Sequence, residues 1–191
     1  MTKPMATAVL CLSLLSASCA ANIALTPVRY AASSAVRSDT RLLVNVTTVE
    51  GSANDVRAIP IFVSATPREG IRFNRADQRT FSKSLEGELL RIGMFSQPSG
   101  SESQGATRVG IVFSTTNYLH RPFFEYRLGF RVEASSPGKA SFSKDYVVNS
   151  SDGFTVAQNW GLNVSEAKQR VAELALAKVI SDLELYISQE P

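Results

Sequence analysis

The chain is poor in the residues that reactive and metal-binding sites draw on, with one histidine and two cysteines among 191 residues. A structural zinc site takes about four Cys and His ligands, more than the chain supplies. A Ser or Cys triad would have to use His120 as its base. That histidine stands in a turn signal beside Arg121 and Pro122, with no Gly-x-Ser-x-Gly elbow in the chain. Asp145 and Asp152 lack calcium-loop spacing, and Glu86 and Glu88, two apart on a helix, point in different directions. Gly100 and Gly105 stand in a Ser-rich loop with no strand leading into a helix, so no phosphate cradle is expected. No catalytic residue, metal or cofactor is therefore expected, and the protein is read as a non-enzyme.

Long apolar runs are missing as well. The first, residues 5–15, falls short of the roughly 20 residues that span a bilayer, and later ones are broken every few positions by Arg, Asn or Ser. Dense charge of one sign is absent too: the formal net charge is +3. Phosphate neutralisation along nucleic acid needs a stripe of Lys and Arg, so nucleic acid is not an expected partner. What the chain does have is 44% hydrophobic and 19% charged residues, the balance of one globular domain with a real core.

The amino terminus has the layout of a secretory signal peptide, with Lys3, the apolar segment and then small residues. Cys11 lies in the stretch that is discarded, which leaves Cys19 as the lone cysteine of the mature chain, without a partner for a disulfide. Ser16-Ala17-Ser18-Cys19, behind Leu14 and Leu15, resembles the bacterial lipobox, although Ser16 stands where Leu is usual. The resemblance implies diacylation of Cys19, cleavage before it and N-acylation. Each buried methylene contributes about 0.8 kcal/mol, so one acyl chain anchors marginally and two or three anchor stably. The alternative is ordinary cleavage after Ala20, which would release a soluble periplasmic protein. Ala20 in place of Asp after the cysteine implies, by resemblance, the outer membrane, with the domain facing the periplasm or the cell surface.

Three segments follow: a lipoprotein signal at 1–18, the lipidated Cys19 with a flexible tether to 40, and a single α+β domain over 41–191. Residues 41–49 are β-branched and partly alternating, and 59–63 suit an edge strand because Pro60 cannot donate a ladder bond. Phe81, Leu85, Leu89 and Ile92 repeat at helical spacing behind Asp77 or Thr80 as N-cap, with Gly93 past the end. Residues 96–105 read as a polar loop. Strand character returns at 108–119, 123–134 and 140–148, with connections short enough to require antiparallel neighbours. Ala172, Leu176, Val179, Leu183 and Ile187 mark a second helix opening at Ser165. The fold expected is α+β, a mostly antiparallel sheet of four or five strands with two helices on one face.

Two clusters are candidates for partner binding. Arg68, Arg72, Arg75, Arg79 and Lys83 gather before and within the first helix, where they could meet anionic lipid, peptidoglycan carboxylates or an acidic protein. Tyr118, Phe123, Phe124 and Trp160 lie near the ends of elements and would form an anchor if exposed or core if buried.

Read with the lipobox and the order of elements, Leu85-Glu86-Gly87-Glu88-Leu89-Leu90-Arg91-Ile92-Gly93-Met94-Phe95 makes the chain resemble the YajG-like bacterial lipoproteins. The helix ending in Gly-x-Phe is also similar to the amino-terminal domain of TolB and to envelope accessory lipoproteins, among them penicillin-binding-protein activators and auxiliary subunits of lipid transporters. The resemblance implies a lipid-anchored adaptor without catalytic residues that binds another envelope component in transport, secretion or appendage assembly, or cell-wall synthesis. The alternative is a periplasmic carrier of a small molecule or lipid, with an apolar pocket between sheet and helices lined by Phe113, Phe130 and Leu176. Acylation at Cys19 makes Cys19→Ser a direct check: fractionation should find the variant in the soluble periplasmic pool instead of the membrane.

Overall fold

Apolar and polar residues alternate over residues 124–133, and that period of two is what a sheet with one covered face requires. The computed structural model of the chain describes residues 24–32, 34–47, 73–96, 105–120, 124–153 and 164–189. Its elements are β1 (Ser38–Thr47), α1 (Arg75–Arg91), β2 (Phe95–Ser96), β3 (Thr107–His120), β4 (Phe124–Ser135), β5 (Phe142–Asn149) and α2 (Val164–Ser188). The expected strand at 59–63 lies outside the described residues.

The five strands form one mixed sheet in the order β2-β1-β3-β4-β5. The long ladders, β3 with β4 and β4 with β5, are antiparallel, as the short connections demand. β1 runs parallel to β3 and to the two-residue β2. A parallel pair needs a long crossover, and α1 lies in the chain between β1 and β3. The α+β class, the dominant antiparallel pairing and the two helices agree with the sequence reading.

Both helices cover the same face. Val109, Ile111 and Phe113 of β3, Tyr126, Leu128, Phe130 and Val132 of β4, and Tyr146 and Val148 of β5 are buried there. Against them pack Phe81, Leu85 and Leu89 of α1 and Val171, Ala175, Leu176, Val179, Ile180 and Leu183 of α2. The residues between face the other way, with Arg131, Glu133, Asp145 and Val147 exposed. The expected helix boundaries differ in one physical detail. Asn74 is the N-cap of α1, its side chain accepting from the N–H groups of Ala76 and Asp77, while the Asp77 carboxylate accepts from the Asn74 N–H in return.

The β5 edge is tied to α2 by a small polar cluster. Lys144 Nζ and Tyr146 Oη both donate to Asp182 Oδ2 at 2.7 Å. Burial pushes the Asp182 carboxyl up, but the Lys144 and Tyr146 hydrogen bonds outweigh it and hold the group below its ordinary range. Burial, and then Asp182, raises the Tyr146 phenol.

Two outcomes follow from this packing. Leu176→Ala, at a side chain with 0% exposure, should lower stability by about 2–5 kcal/mol in urea unfolding. A carboxyl whose folded pKa is depressed stabilises the fold above its unfolded pKa of about 3.9, and that stability drains as pH falls through the folded value. Asp182→Asn should therefore weaken the protein at neutral pH and flatten its loss of stability below about pH 4 in acid titrations followed by circular dichroism.

Candidate functional site: the clamped amino-terminal segment and the basic flank of the first helix

Residues 24–32 and 34–37 were expected to belong to a flexible tether, and the structure places them otherwise. They lie along α1, and the segment runs in the same direction as the helix. The N–H of Leu25 donates to Asp77 Oδ1 at 2.9 Å, that of Val28 to Ser84 Oγ at 3.0 Å, and that of Tyr30 to Glu88 Oε2 at 3.1 Å. Positions 77, 84 and 88 fall on one face of a helix, which is how three side chains can serve one extended strand. Arg91 closes the far end, with Nη2 donating to Tyr30 O at 2.5 Å and Nε to Glu88 Oε2 at 2.7 Å. Leu25 and Val28 turn inward, at 6% and 2% exposure, and join the core.

The C-terminal end of α1 is closed by the same segment. Arg37 Nη1 donates to Ile92 O at 2.7 Å, satisfying a carbonyl that the helix leaves without an internal partner. Gly93 follows with φ +72, and a Cβ there would meet Arg37 Nη1. Glycine is favoured at this position by the left-handed backbone, whereas the Arg37 guanidinium is the far end of a flexible side chain that could shift.

At the other end, Asp77 is shared by three segments. Besides the Leu25 and Asn74 N–H groups it meets Lys168 Nζ of α2 at 2.5 Å, with both side chains about 1% exposed. The ammonium also lies 6.0 Å from the centre of the Phe73 ring. Burial lowers the Lys168 pKa, and Asp77 opposes that shift.

The outer side of α1 is basic. Arg75, Arg79 and Lys83, four residues apart, are exposed, with Arg29 of the docked segment exposed beside them. Between segment and helix runs an open groove of about 300 Å³ lined by Pro27, Val28, Arg29, Thr80, Lys83, Ser84, Gly87 and Glu88. The structure thus brings together Arg75, Arg79 and Lys83 from the expected patch. Cys19, Arg68, Arg72, Phe123 and Trp160 lie outside the described residues. Tyr118 falls within β3, its backbone opposite Tyr126. Sequence reasoning missed Arg29 and Lys168. The signal for Lys168 was present, since it stands in phase with the apolar stripe of Ala172, Ala175 and Val179.

The aromatic side chains named for a pocket between sheet and helices pack on one another. Phe113 and Phe130 are 5.8 Å apart between ring centres, Phe81 lies 5.8 and 5.9 Å from them, and Tyr146 stacks on Phe130 at 5.0 Å. Leu176, in the same hydrophobic core, is fully buried. Among the described residues no group of three or more His, Cys, Asp or Glu side chains converges as a metal site requires, and no helix is long and apolar enough to cross a membrane.

No family model matches the chain, and no curated protein matches it in sequence. Solved structures do resemble it. A Xanthomonas campestris protein of family DUF330 superposes with a TM-score of 0.50 at 10% identity, over 85% of this chain and 92% of the other. A hypothetical protein of Chlamydia trachomatis gives a TM-score of 0.49 at 11% identity, over 79% of this chain and 99% of its own. At 10% identity the likeness to the Xanthomonas protein is one of fold alone.

The shared carboxylate makes a specific prediction. Asp77→Ala removes the clamp on Leu25, half of the capping box and the partner of a buried ammonium, and should cost about 3–5 kcal/mol in urea unfolding. The pair of changes Asp77→Asn with Lys168→Met, which leaves no buried charge there, should recover most of that loss.

Proposed function

We propose that the protein is a non-enzymatic lipoprotein of the bacterial cell envelope, anchored by acyl chains on Cys19 in the outer membrane, and that its α+β domain is an adaptor for another envelope component. The observation that carries the adaptor reading over the carrier reading is the ring cluster of Phe81, Phe113, Phe130 and Tyr146. Rings packed at 5.0 to 5.9 Å between sheet and helices leave no room at that position for an apolar guest. Recognition is then a matter of surfaces.

The mechanism we infer is confinement. Acyl chains hold the domain at the bilayer, so that encounter with a membrane-bound partner becomes effectively intramolecular, at effective concentrations of the order of millimolar for a short leash. The basic and aromatic clusters read from the sequence, Arg68, Arg72, Arg75, Arg79, Tyr118, Phe123 and Trp160, are the residues assigned to contact within the envelope.

The test is crosslinking in living cells with a photoreactive residue in place of Val147, exposed on the open face of the sheet. The expected result is one defined envelope protein, captured by the wild-type anchor and lost with Cys19→Ser. Recovery of a stoichiometric small apolar molecule from the denatured protein, with no crosslinked partner, would favour the carrier.

A further inference from the structure

We propose that the flank of α1 carrying Arg29, Arg79 and Lys83 is the membrane-facing surface of the domain and rests on anionic phospholipid headgroups; this depends on the lipid anchor at Cys19. Two independent observations meet there. One is the direction of the docked segment. Leu25 is fastened at Asp77, near the N-terminal end of α1, and Arg37 at Ile92, past its C-terminal end. The leash therefore leaves the folded domain at the N-terminal end of α1. Only residues 19 to 24 separate the anchor from that point, and fully extended they reach about 18 Å. The C-terminal end of the helix stands about 22 Å further along its axis, at about 1.5 Å per residue.

The other observation is charge. Arg29, Arg79 and Lys83 are exposed and make no hydrogen bond or ion pair among the described residues. Arg75 is exposed one turn before Arg79, and Glu86 is the acidic side chain on the same outer side. Asp77 and Glu88, the other carboxylates of the helix, are buried and engaged by the docked segment. The basic groups at the far end are occupied instead: Arg91 with Glu88 and Arg37 with the Ile92 carbonyl. Among the described residues the unengaged cations thus run along the outer flank from Arg79, near the end where the leash leaves, through Lys83 at mid-helix to Arg29 beside Ser84 and Gly87, so that the helix would lie along the lipid surface on this flank. A leash of at most about 18 Å lets this flank reach the headgroups themselves, where an anionic surface attracts basic side chains within about one Debye length, roughly 8 Å at physiological salt. The clamp on Leu25 and Val28 shortens the leash to residues 19–24 and sets its point of exit beside α1, with the open face of the sheet left for a partner.

The acylated protein, purified from membranes and checked by mass spectrometry at Cys19, is reconstituted into vesicles of phosphatidylethanolamine and phosphatidylglycerol. A fluorophore is placed at Thr80→Cys or at Val147→Cys, and a quencher is carried on the lipid headgroups. The label at 80, held nearer the headgroups, should be quenched more than the label at 147, and Arg79→Glu with Lys83→Glu should abolish the difference. Equal quenching at both positions, or a difference untouched by charge reversal, overturns the proposal while leaving the anchor intact. A second arm removes the anchor. Full-length Cys19→Ser protein added from solution should sediment with phosphatidylglycerol vesicles, weaken about tenfold on reversal of Arg29, Arg79 and Lys83, and ignore pure phosphatidylcholine. Sedimentation that does not depend on phosphatidylglycerol overturns the surface, whatever mass spectrometry finds at Cys19.

Discussion

A carboxylate removed from water has to be surrounded by donors, and much of this fold is arranged around one such group. Asp77 collects the Asn74 N–H at the start of α1, the Leu25 N–H of the docked segment and the Lys168 ammonium of α2. Each donor belongs to a different stretch of the chain. Burial of an ion pair does not by itself add stability, because desolvation of two charges offsets their attraction. What the arrangement supplies is uniqueness: the segment, the cap and the second helix all have to be in place before the charge is satisfied. A register shift of the segment along α1 would leave a buried charge short of a donor, at a cost of several kcal/mol.

The two faces of the sheet divide the work of the domain. The covered face is sealed by aromatic rings and by α2, whose buried stripe runs from Ala167 to Ile187. The other face is a lattice of charged and small side chains, crossed by the Arg131–Asp145 pair at 2.8 Å and by the hydrogen bond from Arg127 Nε to Asn149 Oδ1 at 2.7 Å. Pairs this exposed add little stability. They keep a broad, flat surface soluble and deter edge-to-edge sheet association.

The elements of the fold that were legible in the sequence are those with a period. β4 shows its alternation over five pairs of residues, α2 shows spacings of three and four over about four turns, and both were placed to within a residue or two. β2 has two residues and can show no period, and it fell partly inside the segment read as a polar loop. The parallel pairing of β1 with β3 was equally silent, because register between distant strands leaves no local mark. The docking of residues 24–37 was missed for a related reason. Its contacts run from backbone N–H groups to Asp77, Ser84 and Glu88, so the pattern is written in the helix and absent from the segment that binds there. Asn74-Arg75-Ala76-Asp77 did carry a readable capping signature, and Asp77 drew notice as a cap while its partners remained hidden. Of the candidate site, Arg75 and Arg79 were found by composition alone, whereas Arg29 became relevant only once the chain had folded beside them.

Because the docked segment and α1 point the same way, tension has a particular effect on them. A pull applied ahead of residue 24 and directed along the helix axis is shared by the bonds to Asp77, Ser84 and Glu88 together, as in a sheared joint. Under a sideways pull the same bonds would break in succession, each bearing the load alone. Lateral drag along a surface and withdrawal from it would thus meet different mechanical resistance at one joint, and the domain would give way in one direction long before the other.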